Sequence, residues 1–147
     1  MKLRLMFCLA LFGLLFNANA QFRKIPAEVT DSFRTRFDKA TQVSWSDNLI
    51  SFQASFKLGN ETLKAYYDSK GEWLKTEKNY AFEALPSDIQ DGYKKSKYTD
   101  WSVKDVLYVE EKDRQPRYRV QVRKSELQKK NLYFSATGQL LEDSITL

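Results

Sequence analysis

The side chains able to carry chemistry in this sequence are carboxylates, hydroxyls, phenols and guanidiniums, since its 147 residues include no histidine and one cysteine. Nucleophile–base pairs and zinc sites draw mostly on those two scarce types. The carboxylate pairs Glu110-Glu111 and Glu142-Asp143 are sequence neighbours. Neighbours on a strand point to opposite faces, so neither pair can divide acid and base duties over one substrate, and both read as solvated edges or loops. A serine nucleophile without histidine needs a lysine base, and no Ser-x-x-Lys opens a helix here. Glycine-rich phosphate loops are absent. A calcium loop needs several spaced carboxylates, and the turn around Gly71 offers only Asp68. No catalytic site, metal or other cofactor is expected, and the protein reads as a non-enzyme.

What remains is tyrosine, tryptophan and arginine, the types that concentrate in protein-binding hot spots because they bury large areas and still hydrogen-bond. Strand alternation puts Tyr66, Trp73, Tyr108 and Tyr133 on the outward face of a sheet beside Arg117, Arg119 and Arg123. Tyr66, Trp73, Tyr108, Arg119 and Tyr133 are therefore the expected partner-binding residues. The competing reading is structural, with cross-strand Tyr–Arg pairs stabilising an exposed sheet and Trp73 closing the end of the core.

The elements that must position these residues occur in two similar sets. Ile25-Pro26 is followed by Val29 and Phe33, and Leu85-Pro86 by Ile89 and Tyr93 at the same offsets. A proline at the first helical position followed by an apolar stripe predicts a short amphipathic helix in each half. Phe37 extends the first stripe, whereas Lys97 stands at the matching place in the second, so the second helix should end near Lys95. The halves also finish alike. Tyr66 to Leu74 aligns with Tyr133 to Leu141, with Gly71 on Gly138 at the end of a polar turn between two strands.

Between helix and hairpin, residues 49–58 alternate, with Ile50, Phe52, Ala54, Phe56 and Leu58 on one face. This predicts a half-buried antiparallel strand. Gly59-Asn60 turns it into 61–67, and in the second half 103–110 and 117–124 repeat the pattern. Residues 41–45 and 73–78 complete the first set. The expectation is an α+β fold of two tandem repeats, 21–84 and 85–147, each one helix and about four strands. The strands join into one sheet with both helices on one face, over a continuous core of Val29, Phe33, Phe37, Phe52, Phe56, Ile89, Tyr93, Val120 and Val122.

Residues 1–20 stand outside that scheme. Lys2 and Arg4 precede an apolar run from Leu5 to Phe16 that ends in Asn17-Ala18-Asn19-Ala20. This reads as a secretory signal peptide cleaved near Ala20, too short for a membrane span. Cleavage would remove Cys8 and both methionines, leaving no soft metal ligand. The expected location is periplasmic or extracellular.

The formal charge is +5, from 24 Lys+Arg against 19 Asp+Glu, and the charge excess is spread as +1 over 21–84 and +2 over 85–147. Nucleic-acid binders concentrate positive charge on one surface, so this composition argues against nucleic acid. An attraction to anionic envelope polymer, or to a small ligand, is the alternative to a protein partner.

The order of these segments resembles the PepSY-like proteins of Bacteroidetes, with their beta-lactamase-inhibitor-protein-like repeats. The resemblance is carried by Ile25-Pro26, Val43-Ser44-Trp45, the 52–56 strand, Tyr67 to Leu74 and Leu85-Pro86-Ser87-Asp88-Ile89. Phe134-Ser135 in place of Tyr67-Asp68, and the charged stretch 110–116, depart from it. The resemblance implies an exported, non-enzymatic protein that binds or inhibits a protein or peptide of the cell envelope, and it names no specific partner.

Overall fold

The computed structural model describes residues 23–146; the expected leader, 1–20, lies outside them. Each helix starts where the proline forces an extended entry. Pro26 (φ −61°, ψ 150°) and Pro86 (φ −52°, ψ 143°) are N-caps, one residue earlier than the expected first helical position. Helix α1 (Ala27–Arg36) buries Val29 and Phe33, and α2 (Ser87–Lys94) buries Ile89 and Tyr93, the stripes that the spacing predicts. Phe37 follows the last turn of α1 and is only partly buried.

Four strands follow each helix. They are β1 (Thr41–Asp47), β2 (Phe52–Leu58), β3 (Glu61–Tyr67) and β4 (Trp73–Asn79), then β5 (Ser102–Glu111), β6 (Arg117–Ser125), β7 (Gln128–Phe134) and β8 (Leu140–Ile145). All eight lie in chain order in one antiparallel sheet. Strand β2 begins at Phe52, not at Leu49. Ile50 sits in the turn and is 91% exposed, because Asn48 closes that turn early by donating its backbone N–H to Ser51 O at 2.9 Å.

The register puts Ala54, Ala65, Thr76 and Glu110 in one row on one face. Glu110 shares that face with Val106, which leads across to Val120 and Leu132. Both helices pack here, but over two cores where a single continuous one was expected. α1 covers Phe52, Ala54, Phe56, Ala65 and Tyr67, while α2 covers Val106, Val120, Val122, Leu132 and Phe134. The strip between them carries Lys78, Tyr108, Glu110 and Tyr118. These groups keep polar atoms at the surface, so the two apolar clusters do not merge.

The aligned turns brace the helices. Asp68 N–H donates to Glu72 O at 3.0 Å and Gly71 N–H to Asp68 O at 3.2 Å, and Ser135, Gln139 and Gly138 repeat the pattern at 2.9 and 3.0 Å. Gly71 (φ +82°) lies against Glu28 of α1 and Gly138 (φ +76°) against Asp88 of α2. Left-handed backbone in close approach to another main chain leaves room only for glycine.

Candidate binding face

The helix-free side of the sheet is built by β3 to β7. Tyr66 stands opposite Lys75, Glu77 opposite Val109, Val109 opposite Arg117, Leu107 opposite Arg119, and Arg119 opposite Tyr133. Leu107 and Val109, 5% and 4% exposed, form an apolar floor. Arg117 and Arg119 stand directly beside these two residues on β6. Arg117 is 8% exposed. It binds Glu111 at 2.8 Å and Glu142 at 3.2 Å, and its guanidinium lies 4.0 Å from the centre of the Tyr133 ring. Arg119 pairs with Asp105.

At the other end of the face, the Tyr66 hydroxyl donates to Glu77 Oε2 at 2.9 Å and Lys75 Nζ donates to Glu77 Oε1 at 2.5 Å. The same ammonium lies 4.4 Å from the centre of the Tyr66 ring. Burial, reinforced by the Glu77 charge, holds the Tyr66 phenol far above its usual range. It is a hydrogen-bonding group and not a base or nucleophile at neutral pH. The arrangement offers aromatic rings and guanidinium edges fixed by paired strands and by ion pairs. Lys75, Arg117 and Arg119 on it each face a carboxylate.

Of the five residues expected on this face, Tyr66, Arg119 and Tyr133 share it. Trp73 and Tyr108 do not. The register slips by one between Tyr66–Lys75 and Tyr67–Trp73, and this bulge turns Trp73 to the helix side. There its Nε1 donates to Thr76 Oγ1 at 2.9 Å and the Arg36 guanidinium lies 3.7 Å from the ring centre. A second slip, between Val103 and Asp105, reverses the parity counted from Val103. Tyr108 accordingly faces Tyr118 at 5.4 Å in the strip between the helices. Leu107, Val109 and Glu77 were not among the expected residues. The unbroken run Val106-Leu107-Tyr108-Val109 marked a strand covered on both faces, and read that way it identifies the apolar floor.

Among the described residues, no group of three or more His, Cys, Asp or Glu side chains is placed to hold a metal ion, and no helix is long and apolar enough to cross a membrane.

The sequence profile of the family described as "Putative beta-lactamase-inhibitor-like, PepSY-like" matches residues 50–142. Among solved structures, the chain is similar to a BLIP-like protein from Bacteroides fragilis (TM-score 0.77, 22% identity, 86% of this chain and 90% of that one). It is also similar to a DUF2874 family protein from Bacteroides ovatus (TM-score 0.73, 22% identity, 83% and 88%). A third structure is of a "putative periplasmic" protein from Bacteroides eggerthii (TM-score 0.69, 19% identity, 83% and 89%). At these identities the likeness is one of fold. No curated protein matches the chain.

Proposed function

Because the chain belongs to the beta-lactamase-inhibitor-like, PepSY-like family, we propose that it is an exported, non-enzymatic protein of the periplasm or cell exterior that binds a protein or peptide through the helix-free face. The observation that carries this reading is the fixed placement of Tyr66, Arg119 and Tyr133 over the Leu107–Val109 floor. Side chains already held by strand pairing and ion pairs lose little further entropy on binding, which is how a flat surface gains affinity. Tyr66 and Tyr133 are the anchors, and Arg119 supplies a charged contact.

Export is supported by the Lys2 to Ala20 leader pattern and by the periplasmic description of one structural relative. An anionic polymer is the alternative. Lys75, Arg117 and Arg119, beside the apolar floor, are each engaged by a carboxylate, which leaves the positive charge for such a ligand to Lys57, Lys64 and Lys129 on the same face.

Affinity capture from envelope extracts tests the reading, with Tyr66→Ala and Arg119→Ala against the parent. Each true anchor should cost about 2 kcal/mol or more of binding, measured at a temperature where melting curves show both variants to be fully folded. Trp73→Ala and Tyr108→Ala, on the other face, should leave capture intact. If both face substitutions capture the same partners as the parent, the aromatics are sheet stabilisers. Capture that survives both and fades with salt belongs to an anionic polymer.

A further inference from the structure

One edge of the sheet is open where the corresponding edge inside the molecule is filled. Among the described residues β1 has a neighbour on one side only, so alternate N–H and C=O groups along it point away from the sheet without a described strand to receive them. Beside it, α1 and β1 enclose a cleft of about 290 Å³ lined by Phe33, Phe37, Val43 and Trp45 together with the charged Arg34 and Asp38. The second helix and its strands show the same corner occupied. Tyr93 is the counterpart of Phe33, each being the buried residue seven places after the helix-leading proline. There β4 runs along β5, and the Tyr80 N–H continues the ladder to Val106 O at 2.9 Å. Two residues on, Phe82 packs edge-on against Tyr93 with ring centres 5.2 Å apart, on the same core as Val103.

The two outer edges are also unlike in chemistry. Edge strands are ordinarily guarded against pairing by charge or proline. β8 carries Glu142 and Asp143, tied to Arg117 and Lys130. β1, Thr-Gln-Val-Ser-Trp-Ser-Asp, has neither lysine nor proline, and its one charge, Asp47, is taken by Arg23 at 2.5 Å. Among the described residues its guard is a bulge between Thr41 and Ser44, where Gln42 takes a φ of +52°.

We infer that β1 and the adjoining cleft form a docking site for an extended segment of another polypeptide, which adds as an antiparallel strand and sets an aromatic side chain on Phe33 as Phe82 is set on Tyr93. This is recognition by strand addition, with backbone bonds supplying affinity and one pocket supplying selectivity. Pairing of β1 with β1 of a second copy fits less well. The residues such a strand would bring to the helix side, Val43 and Trp45, already line its own cleft, Trp45 with its ring 5.3 Å from Phe33. The site is separate from the helix-free face and does not depend on it.

The probe is a blocked nine-residue peptide with the sequence of residues 75–83, its lysines and glutamates replaced by threonine, which keeps the strand-to-phenylalanine spacing that fits β5 and Tyr93. It should bind the intact chain saturably and slow hydrogen exchange at β1 amides. Replacing its phenylalanine by serine, N-methylating its alternate amides, or introducing Val43→Lys in the protein should each weaken binding at least about tenfold. Val43 is 40% exposed, so that substitution leaves the fold intact. Tyr66→Ala should change nothing, which separates this site from the helix-free face. Absence of saturable binding, or binding indifferent to Val43→Lys and to N-methylation, overturns the inference. Dimerisation in sedimentation that Val43→Lys abolishes also overturns it, by assigning the edge to a second copy of the chain.

Discussion

A β-carbon on Gly138 would stand 2.0 Å from the carbonyl oxygen of Asp88, in the first turn of α2. The β7–β8 turn therefore rests on the helix main chain to main chain, at a left-handed φ of +76°. Gly138→Ala should destabilise by more than about 2 kcal/mol, the conformational cost of roughly 1–2 kcal/mol being joined by a clash that neither backbone can relieve alone. Gly59 is the control: its φ is +61° but nothing lies within 4 Å of the added carbon. Gly59→Ala should cost only the conformational part. Equal thermal shifts for the two variants would show that the Gly138–Asp88 approach constrains nothing.

Phe33 is the hub of the α1 core, 4% exposed, with ring centres of Phe56, Trp45, Phe37 and Tyr67 at 5.0, 5.3, 5.5 and 6.4 Å. Phe33→Ala should cost about 3–5 kcal/mol, the range for a large buried ring whose site cannot collapse. Ile50→Ser, in the exposed turn before β2, should stay within about 0.5 kcal/mol. Denaturant titrations of both variants check the pair, and an unchanged midpoint for Phe33→Ala would mean that α1 does not dock through this ring.

The helices, the strands and their order were legible because each rests on a local signal: a proline ahead of Val29 and Phe33, alternation through Phe52 to Leu58, a turn glycine at 71 and at 138. The helix-free face was legible only in part. Face assignment depends on counting residues from a reference, and a bulge changes the count without leaving a mark in composition. Tyr66 and Tyr133 were placed correctly because Ala65 and Leu132 beside them fix the parity directly. Trp73 and Tyr108 lie beyond register slips and were inverted. The split of the core into two clusters was likewise hidden, since it follows from which strands meet at β4–β5 and not from any one segment.

Asp143 ties the start of β5's connecting loop to the β7–β8 edge. Lys130 Nζ donates to its Oδ1 at 2.7 Å and the buried Tyr98 hydroxyl to its Oδ2 at 2.7 Å. These bonds, the lysine's first, hold its carboxyl at about 2, below the ordinary 3.8. A carboxyl depressed in the folded state stabilises above its unfolded pKa and loses that contribution as pH falls toward its folded one. Asp143→Asn should thus be less stable than the parent by a constant margin above about pH 4, and the margin should shrink between about pH 4 and 2. Melting curves taken across this range check it, and a margin that stays constant down to about pH 2 would rule out the linkage.

Arg117 is the one arginine that the helix-free face nearly engulfs, and it carries two separate loads there. Electrostatically it binds Glu111 of the neighbouring β5 and Glu142 of β8, one strand beyond β7, while its guanidinium supports the Tyr133 ring from 4.0 Å. Removing a buried member of an ion pair leaves its partners short of charge compensation, although Glu142 is half exposed and can turn to water. Arg117→Ala should therefore cost about 2 kcal/mol, less than a fully buried pair would. Arg117→Lys separates the two loads. It keeps the positive charge but lacks the fork that reaches both carboxylates and the flat surface beneath the ring. Stability should recover in part, whereas the Tyr133 ring should show the same loss of order in both variants, read from its NMR ring resonances. Full recovery of both properties in Arg117→Lys would mean that charge alone holds this corner and that Tyr133 is positioned by its strand without help from the guanidinium.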